Sequence, residues 1–161
     1  MEMLEFKVDS VEDLIEKSKQ IGNRPFIMQE YIKTSIGKDI RVNIVGDEIV
    51  GAMERSNPND FRANITLGGT GKVIELTNAQ KELALKAHKA LKLDFSGVDL
   101  LYGENGETII CEINSNVNYL SFEEVSGVNF GEKLLEYILD MLSESSRDRM
   151  HRRAVSGAYD D

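Results

Sequence analysis

The 161 residues suit one domain or a portion of a larger one. Apolar residues make up 41% and charged residues 29%, an ordinary soluble composition, and no run of about 18 apolar residues exists to span a bilayer. A formal net charge of -9 argues against a nucleic-acid groove and against a polybasic membrane surface.

The first residues, MEMLEFKVDS, are acidic and lack a signal-peptide apolar core. A single cysteine, Cys111, forms no internal disulfide and is expected in a buried strand. A cytoplasmic location is therefore expected. Ser10 followed by Asp13 is a helix start, with Val11, Leu14, Ile15, Ser18 and Ile21 at helical spacing and Gly22 as the stop. Phe26–Ile32 is a β-prone run behind Pro25.

Asp39–Val45 alternates cleanly, with Ile40, Val42 and Ile44 on one face and Asp39, Arg41 and Asn43 on the other. Gly46-Asp47 turns it into Glu48–Arg55, a hairpin whose register sets Asp39 opposite Glu54 and Arg41 opposite Ala52. The charges fit either a surface cluster or a polar face supporting a ligand. Residues 56–71 break periodicity, and a loop of that length in a compact domain is usually functional or mobile. Arg62 inside it reads as a solvated charge or as a phosphate contact.

Lys72–Leu76 reads as a strand, and Thr77 with Gln80 as a capping box. Leu83, Ala84, Ala87, Ala90 and Leu91 form the buried stripe of the helix behind it, with His88 structural or exposed. The run Phe95–Tyr119 holds two β-prone segments around Asn105-Gly106, the strongest short-range hairpin signal. A two-residue loop there sets Asp99 opposite Glu112 and Gly97 opposite Asn114. Opposed acids repel. A divalent cation between them removes the conflict, because hard cations take carboxylate and amide oxygens. Asp99, Glu112 and Asn114 are thus a candidate magnesium site, and an exposed acidic edge is the competing reading. Val98, Leu100, Tyr102, Ile109, Cys111 and Ile113 fall on the other face and read as core.

Asn129 with Glu132 caps a last helix, with Phe130, Leu134, Leu135, Ile138, Met141 and Leu142 facing inward. Residues 1–143 form the domain, and 144–161 read as a disordered, solvated tail whose arginines offer a partner contact. The outline is α+β, an antiparallel sheet flanked by helices.

FIMQEYI, GKDIRVNIVGDEIVGAMER, DFRAN, LGG, FSGVDLL and CEINSN stand in the order found in one known family. The chain resembles the C-terminal subdomain of the ATP-grasp fold, and within it the RimK-like α-L-glutamate ligases. That resemblance implies a set of roles. Gln29, Glu30, Tyr31 and Ile32 line the adenine slot, and Asp39 lies near the ribose. Arg62 reaches the nucleotide phosphates as the catalytic cation, with Asn64 in the same loop. Asp99, Glu112 and Asn114 hold Mg²⁺ or Mn²⁺, the same trio that the hairpin register brings together. Gly68-Gly69 lie close to the acceptor. The implied cofactors are ATP and magnesium, and the implied chemistry is carboxylate activation through an acylphosphate followed by amine attack.

Three departures stand beside the likeness. The family's preceding domain, glycine-rich loop and nucleotide-binding lysines fall upstream of Met1, so the isolated chain is expected to be inactive. Thr66-Leu67 replace the usual His-Arg before the glycine pair. Asn116-Val117-Asn118 replaces the usual Ser-Pro-Gly turn behind the metal ligands. A non-catalytic nucleotide- and metal-binding or interaction module is the alternative. Expected partners are ATP, a small-molecule or peptide carboxylate and an amino-acid amine, with a homo-oligomer or the missing N-terminal half as protein partners.

Overall fold

The computed structural model of the chain describes residues 5–156, with side chains described through Ser143. Helix α1 (Val11–Ile21) starts where the Ser10 hydroxyl accepts the Asp13 N–H and stops at Gly22. Strands β1 (Lys38–Val45) and β2 (Glu48–Ser56) form the first hairpin, followed by the short β3 (Thr70–Val73) and α2 (Asn78–Ala90). Strands β4 (Phe95–Tyr102) and β5 (Thr108–Asn114) form the second hairpin, and α3 (Leu120–Ser126) and α4 (Phe130–Ser156) close the chain. The five strands form one antiparallel sheet in the order β3-β2-β1-β4-β5. The α+β expectation holds. No described helix is long and apolar enough to cross a membrane.

One sheet face buries Ile40, Val42, Ile44, Ala52, Val98 and Leu100 against Ala84 of α2 and Leu76. Thr77 and Gln80 make both bonds of the capping box that starts α2. His88 is buried on that helix, its Nδ1 2.8 Å from the Ser96 hydroxyl. Ala90 and Leu91 leave the predicted stripe and are exposed, because the helix ends there and Lys92 turns the chain with φ 52. The opposite face buries Val45 and Met53 under Phe122 of α3 and Phe130 of α4.

Both hairpins carry a bulge, an extra residue in one strand that shifts the register by one. In the first hairpin Val50 is extra, so Asn43 pairs with Gly51, Arg41 with Met53 and Asp39 with Arg55. This corrects the expected pairing of Asp39 with Glu54 and turns Arg55 onto the face of Asp39. In the second, Tyr102 pairs with Thr108 across a longer loop than expected, and Cys111 is the extra residue. The bulge restores the register beyond it, so Asp99 does pair with Glu112 and Gly97 with Asn114. Cys111, expected in the core, is exposed as the bulged residue of an edge strand.

Three other expectations change. Residues 26–32 form no strand, and Ile27 is 85% exposed, because the run meets no sheet edge among the described residues. In α4, Asn129 caps Glu132 as expected, but only Phe130, Leu134 and Tyr137 pack inward. Leu135, Ile138, Met141 and Leu142 are exposed, since one helix side alone meets the sheet. The same helix continues to Ser156 rather than ending near Ser143, and residues 144–156 contain no proline or glycine. The last five residues of the expected tail lie outside the described residues. Helix α3 is short and has no side-chain cap, which left no signal in the sequence.

Candidate functional site

Alternation sends Asp39, Arg41 and Asn43 of β1 to one face, and strand pairing adds Arg55 of β2, Asp99 of β4 and Glu112 and Asn114 of β5. Arg41 grips Asp99 with two bonds, Nε to Oδ1 at 2.5 Å and Nη2 to Oδ2 at 2.9 Å. Arg55 grips Asp39 the same way, at 2.7 and 2.5 Å, and its Nη2 also lies 3.0 Å from Asp99 Oδ2. All four side chains are buried. Forked guanidinium–carboxylate pairs suit this setting, because each removes two donors and two acceptors from an environment without water. Burial pushes the Asp39 carboxyl above its usual range, and Arg55 pulls the other way. Burial opposes the charge of Arg55, but Asp39 and Asp99 outweigh it and raise its pKa.

Glycine makes room for this arrangement. A side chain at Gly97 would place its first carbon 2.7 Å from Arg41 Nη1. Between Gly51 and Gly97 on the neighbouring strands stands Asn43, fully buried, with neither amide atom hydrogen-bonded among the described residues.

At the β5 edge the environment opens. Glu112 is exposed, and Asn114 Nδ2 donates to its Oε1 at 2.9 Å. Partial burial raises the Glu112 carboxyl above its usual range, Asn114 opposes this, and the facing Asp99 adds to it. No ion pair reaches Glu112 among the described residues, whereas Asp99 is held by two arginines. The trio of Asp99, Glu112 and Asn114 is therefore together on one face, as the hairpin register predicts. Two carboxylates and an amide oxygen are the donors a hard cation takes. Among the described residues no group of three or more His, Cys, Asp or Glu stands together to hold a metal ion.

The other predicted residues cluster separately. Gly37, with φ 60, receives the loop: its N–H donates to Phe61 O at 2.9 Å, and a side chain there would strike Asn57 O. This fixes residues 57–61 beside the start of β1, two residues from Asp39. Arg62 forks onto Asp60 at 3.0 and 2.8 Å and lies over the Phe61 ring. The Arg62 side-chain and backbone bonds hold Asp60 down to about 2. No hydrogen bond or ion pair joins Arg62 to Asp99, Glu112 or Asn114 among the described residues. Asn64 is half-buried, its carbonyl accepting from Leu67 and Gly69. Tyr31 packs edge-on against Phe61 at 6.2 Å, which brings residues 29–32 to the same loop. Gln29 and Glu30 are exposed, and Ile32 is half-buried. Thr34 and Ser35 tie this segment to Tyr102 at the end of β4.

Sequence reasoning missed Arg55, Asn43 and Gly37. Arg55 is hidden by the bulge, although a face on which β1 and β4 together place two acids, Asp39 and Asp99, with Arg41 alone calls for a further cation nearby.

A profile for the RimK-like ATP-grasp domain matches residues 3–138. N-acetylaspartylglutamate synthase A of Homo sapiens is 36% identical over 127 residues, covering 78% of this chain and 32% of that protein. The Shewanella baltica protein named Probable alpha-L-glutamate ligase 2 is 40% identical over 124 residues, covering 76% of this chain and 41% of its own length. The D-alanine–D-alanine ligase of Bacillus anthracis, solved in complex with ATP, superposes with a TM-score of 0.65 at 19% identity, over 88% of this chain and 50% of that one. The last likeness concerns the fold alone. The chain spans roughly a third to two fifths of the curated relatives it matches.

Proposed function

The chain belongs to the RimK-like ATP-grasp family, and on that premise we propose that it is the ATP- and metal-holding portion of a carboxylate–amine ligase that adds an amino acid such as glutamate. The observation that carries this reading is the facing pair Asp99 and Glu112 with Asn114 beside them at an open sheet edge.

In this reading Asp99, Glu112 and Asn114 hold Mg²⁺ or Mn²⁺. The bound cation would neutralise the triphosphate and polarise its terminal phosphoryl group. The residues of the chain do the rest. Arg41 and Arg55 keep Asp99 and Asp39 aimed, so little order is lost when a ligand arrives. Residues 29–32 receive the adenine beside Tyr31 and Phe61, with Asp39 toward the ribose. Arg62, with Asn64 in the same loop, stabilises charge on the phosphates after leaving Asp60. A substrate carboxylate accepts the terminal phosphoryl group, giving an acylphosphate and ADP. Attack by an amine then forms the amide and releases phosphate.

A second reading, a nucleotide- and metal-binding module without catalysis, is favoured by one observation: Arg62, the cation assigned to the phosphates, is already engaged by Asp60. Calorimetry with magnesium and ATP, paired with an ADP-release assay containing glutamate and acceptor amines, separates the two. Nucleotide binding that depends on magnesium and fails in Glu112→Gln supports the site. Absence of binding at millimolar nucleotide removes it. The 161-residue chain alone is expected to show no turnover. Turnover by this chain would establish catalysis outright, and binding without turnover is the module's signature until an N-terminal portion restores ADP release.

A further inference from the structure

Asn43 stands where two kinds of packing meet. On one side of it along β1, Arg41 belongs to the ion-paired network. On the other side, Val45 belongs to the apolar cluster with Phe122 and Phe130. The Asn43 amide is fully buried, and neither of its polar atoms has a hydrogen-bond partner among the described residues. Its cross-strand neighbours are Gly51 and Gly97, so neither offers a side chain to bond. Arg41 fills the space at Gly97, its Nη1 2.7 Å from where a first side-chain carbon would stand. The Phe122 ring fills the space at Gly51, 2.6 Å from the corresponding position. Paired residues share a face, so the ring closes over the side of the sheet that carries the amide.

Little else holds α3 down. It has seven residues, no side-chain cap at its start and Phe122 as its single buried residue. Leu120 is 62% exposed, and Val125 leans on Gly71 of β3 while staying exposed. A helix this short owes its form to packing rather than to propensity. Closing it sets an apolar ring over polar atoms that water would otherwise serve, a desolvation cost that the lifted state avoids. Its two ends are natural pivots: Tyr119 is stacked on Phe130 at 5.1 Å, and Gly127 turns the chain with φ 70. We propose that α3 is a lid that lifts about these ends while the sheet stays folded, and that Asn43 beneath it sets how often it lifts. The lifted lid bares the amide beside Arg41, on the face that carries Asp99.

Native-state amide hydrogen exchange of the full chain, resolved residue by residue, tests this. The Glu123 and Gly127 N–H groups, bonded to Tyr119 O at 3.0 Å and to Glu123 O at 2.8 Å, report on the lid, and those of β1 and β4 report on the sheet. Lid amides are expected to exchange at least about tenfold faster than sheet amides. Asn43→Leu slows the lid amides about tenfold, equal to about 1.4 kcal/mol. Asn43→Val slows them as well, which covers the case that leucine overfills the space. Phe122→Ala strips the lid of protection while β1 and β4 keep theirs. Lid amides that exchange only together with the sheet overturn the proposal. So does lid exchange that neither Asn43 variant slows, the behaviour of an uncapped helix fraying over an amide that is satisfied in place.

Discussion

The polar face of the sheet has two parts built from the same kinds of residue and put to different use. Under β1, β2 and β4, Asp39, Arg55, Asp99 and Arg41 alternate in sign and satisfy one another out of contact with water. At the β5 rim, Glu112 and Asn114 have each other, and Glu112 has no ion-pair partner among the described residues. A charge in the closed part cannot leave without exposing its partner to a low-dielectric surrounding. A charge at the rim is available to an incoming cation. The lesson is that acids on one face differ in role according to whether the protein itself supplies the counter-charge.

The sharpest way to break this contrast is to remove one arginine. Arg55→Ala leaves Asp39 unpaired and Asp99 half-served, and is expected to cost about 3–5 kcal/mol in chemical denaturation. A cost below about 1 kcal/mol would mean that the closed part behaves as an ordinary surface cluster. Asn43→Leu works in the opposite direction. It removes two buried polar atoms that have no hydrogen-bond partner among the described residues, and a gain of about 1–3 kcal/mol is expected, read as a higher denaturation midpoint. Loss of stability there would show that the amide is satisfied in solution.

At the rim, Glu112→Gln is expected to leave stability within about 0.5 kcal/mol while lowering magnesium-dependent nucleotide affinity at least about tenfold, equal to about 1.4 kcal/mol. Equal losses in both measurements would erase the distinction between rim and closed part. The smallest effect concerns the Arg62 loop. Asp60 is lowered from 3.8 to about 2 by Arg62, so its contribution is present above the unfolded value and fades as pH falls through the folded one. Asp60→Asn should flatten the stability curve between about pH 4 and pH 2, checked by denaturation at stepped pH, and an unchanged slope would mean that the Asp60–Arg62 contact is not kept in solution.

The two hairpins explain why one part of the face was legible and the other was not. Asn105-Gly106 located a turn, and alternation located the two strands. The true loop is longer than a two-residue turn, but the Cys111 bulge offsets that difference, so Asp99 and Glu112 meet as expected. In the first hairpin the Val50 bulge has nothing to offset it, and Arg55 swings onto the face of Asp39. A period of two makes each inserted residue exchange the faces of everything beyond it. The cluster of Arg62, Phe61 and Tyr31 was named from a family likeness. Its anchoring on Gly37 has no local pattern, since it joins a loop to the start of a strand 24 residues away.

By itself the sequence determined the elements whose causes lie within a few neighbours: the Ser10 and Thr77 caps, the stops, the alternation of β1 and the opposition of the two acids in the second hairpin. Only the tertiary structure decided which strand residues bulge, which arginine answers which acid, and which side of α4 is covered. Those outcomes depend on contacts such as Phe122 seated over Gly51, where residues distant in sequence compete for one space and hydrophobic periodicity carries no record of the winner.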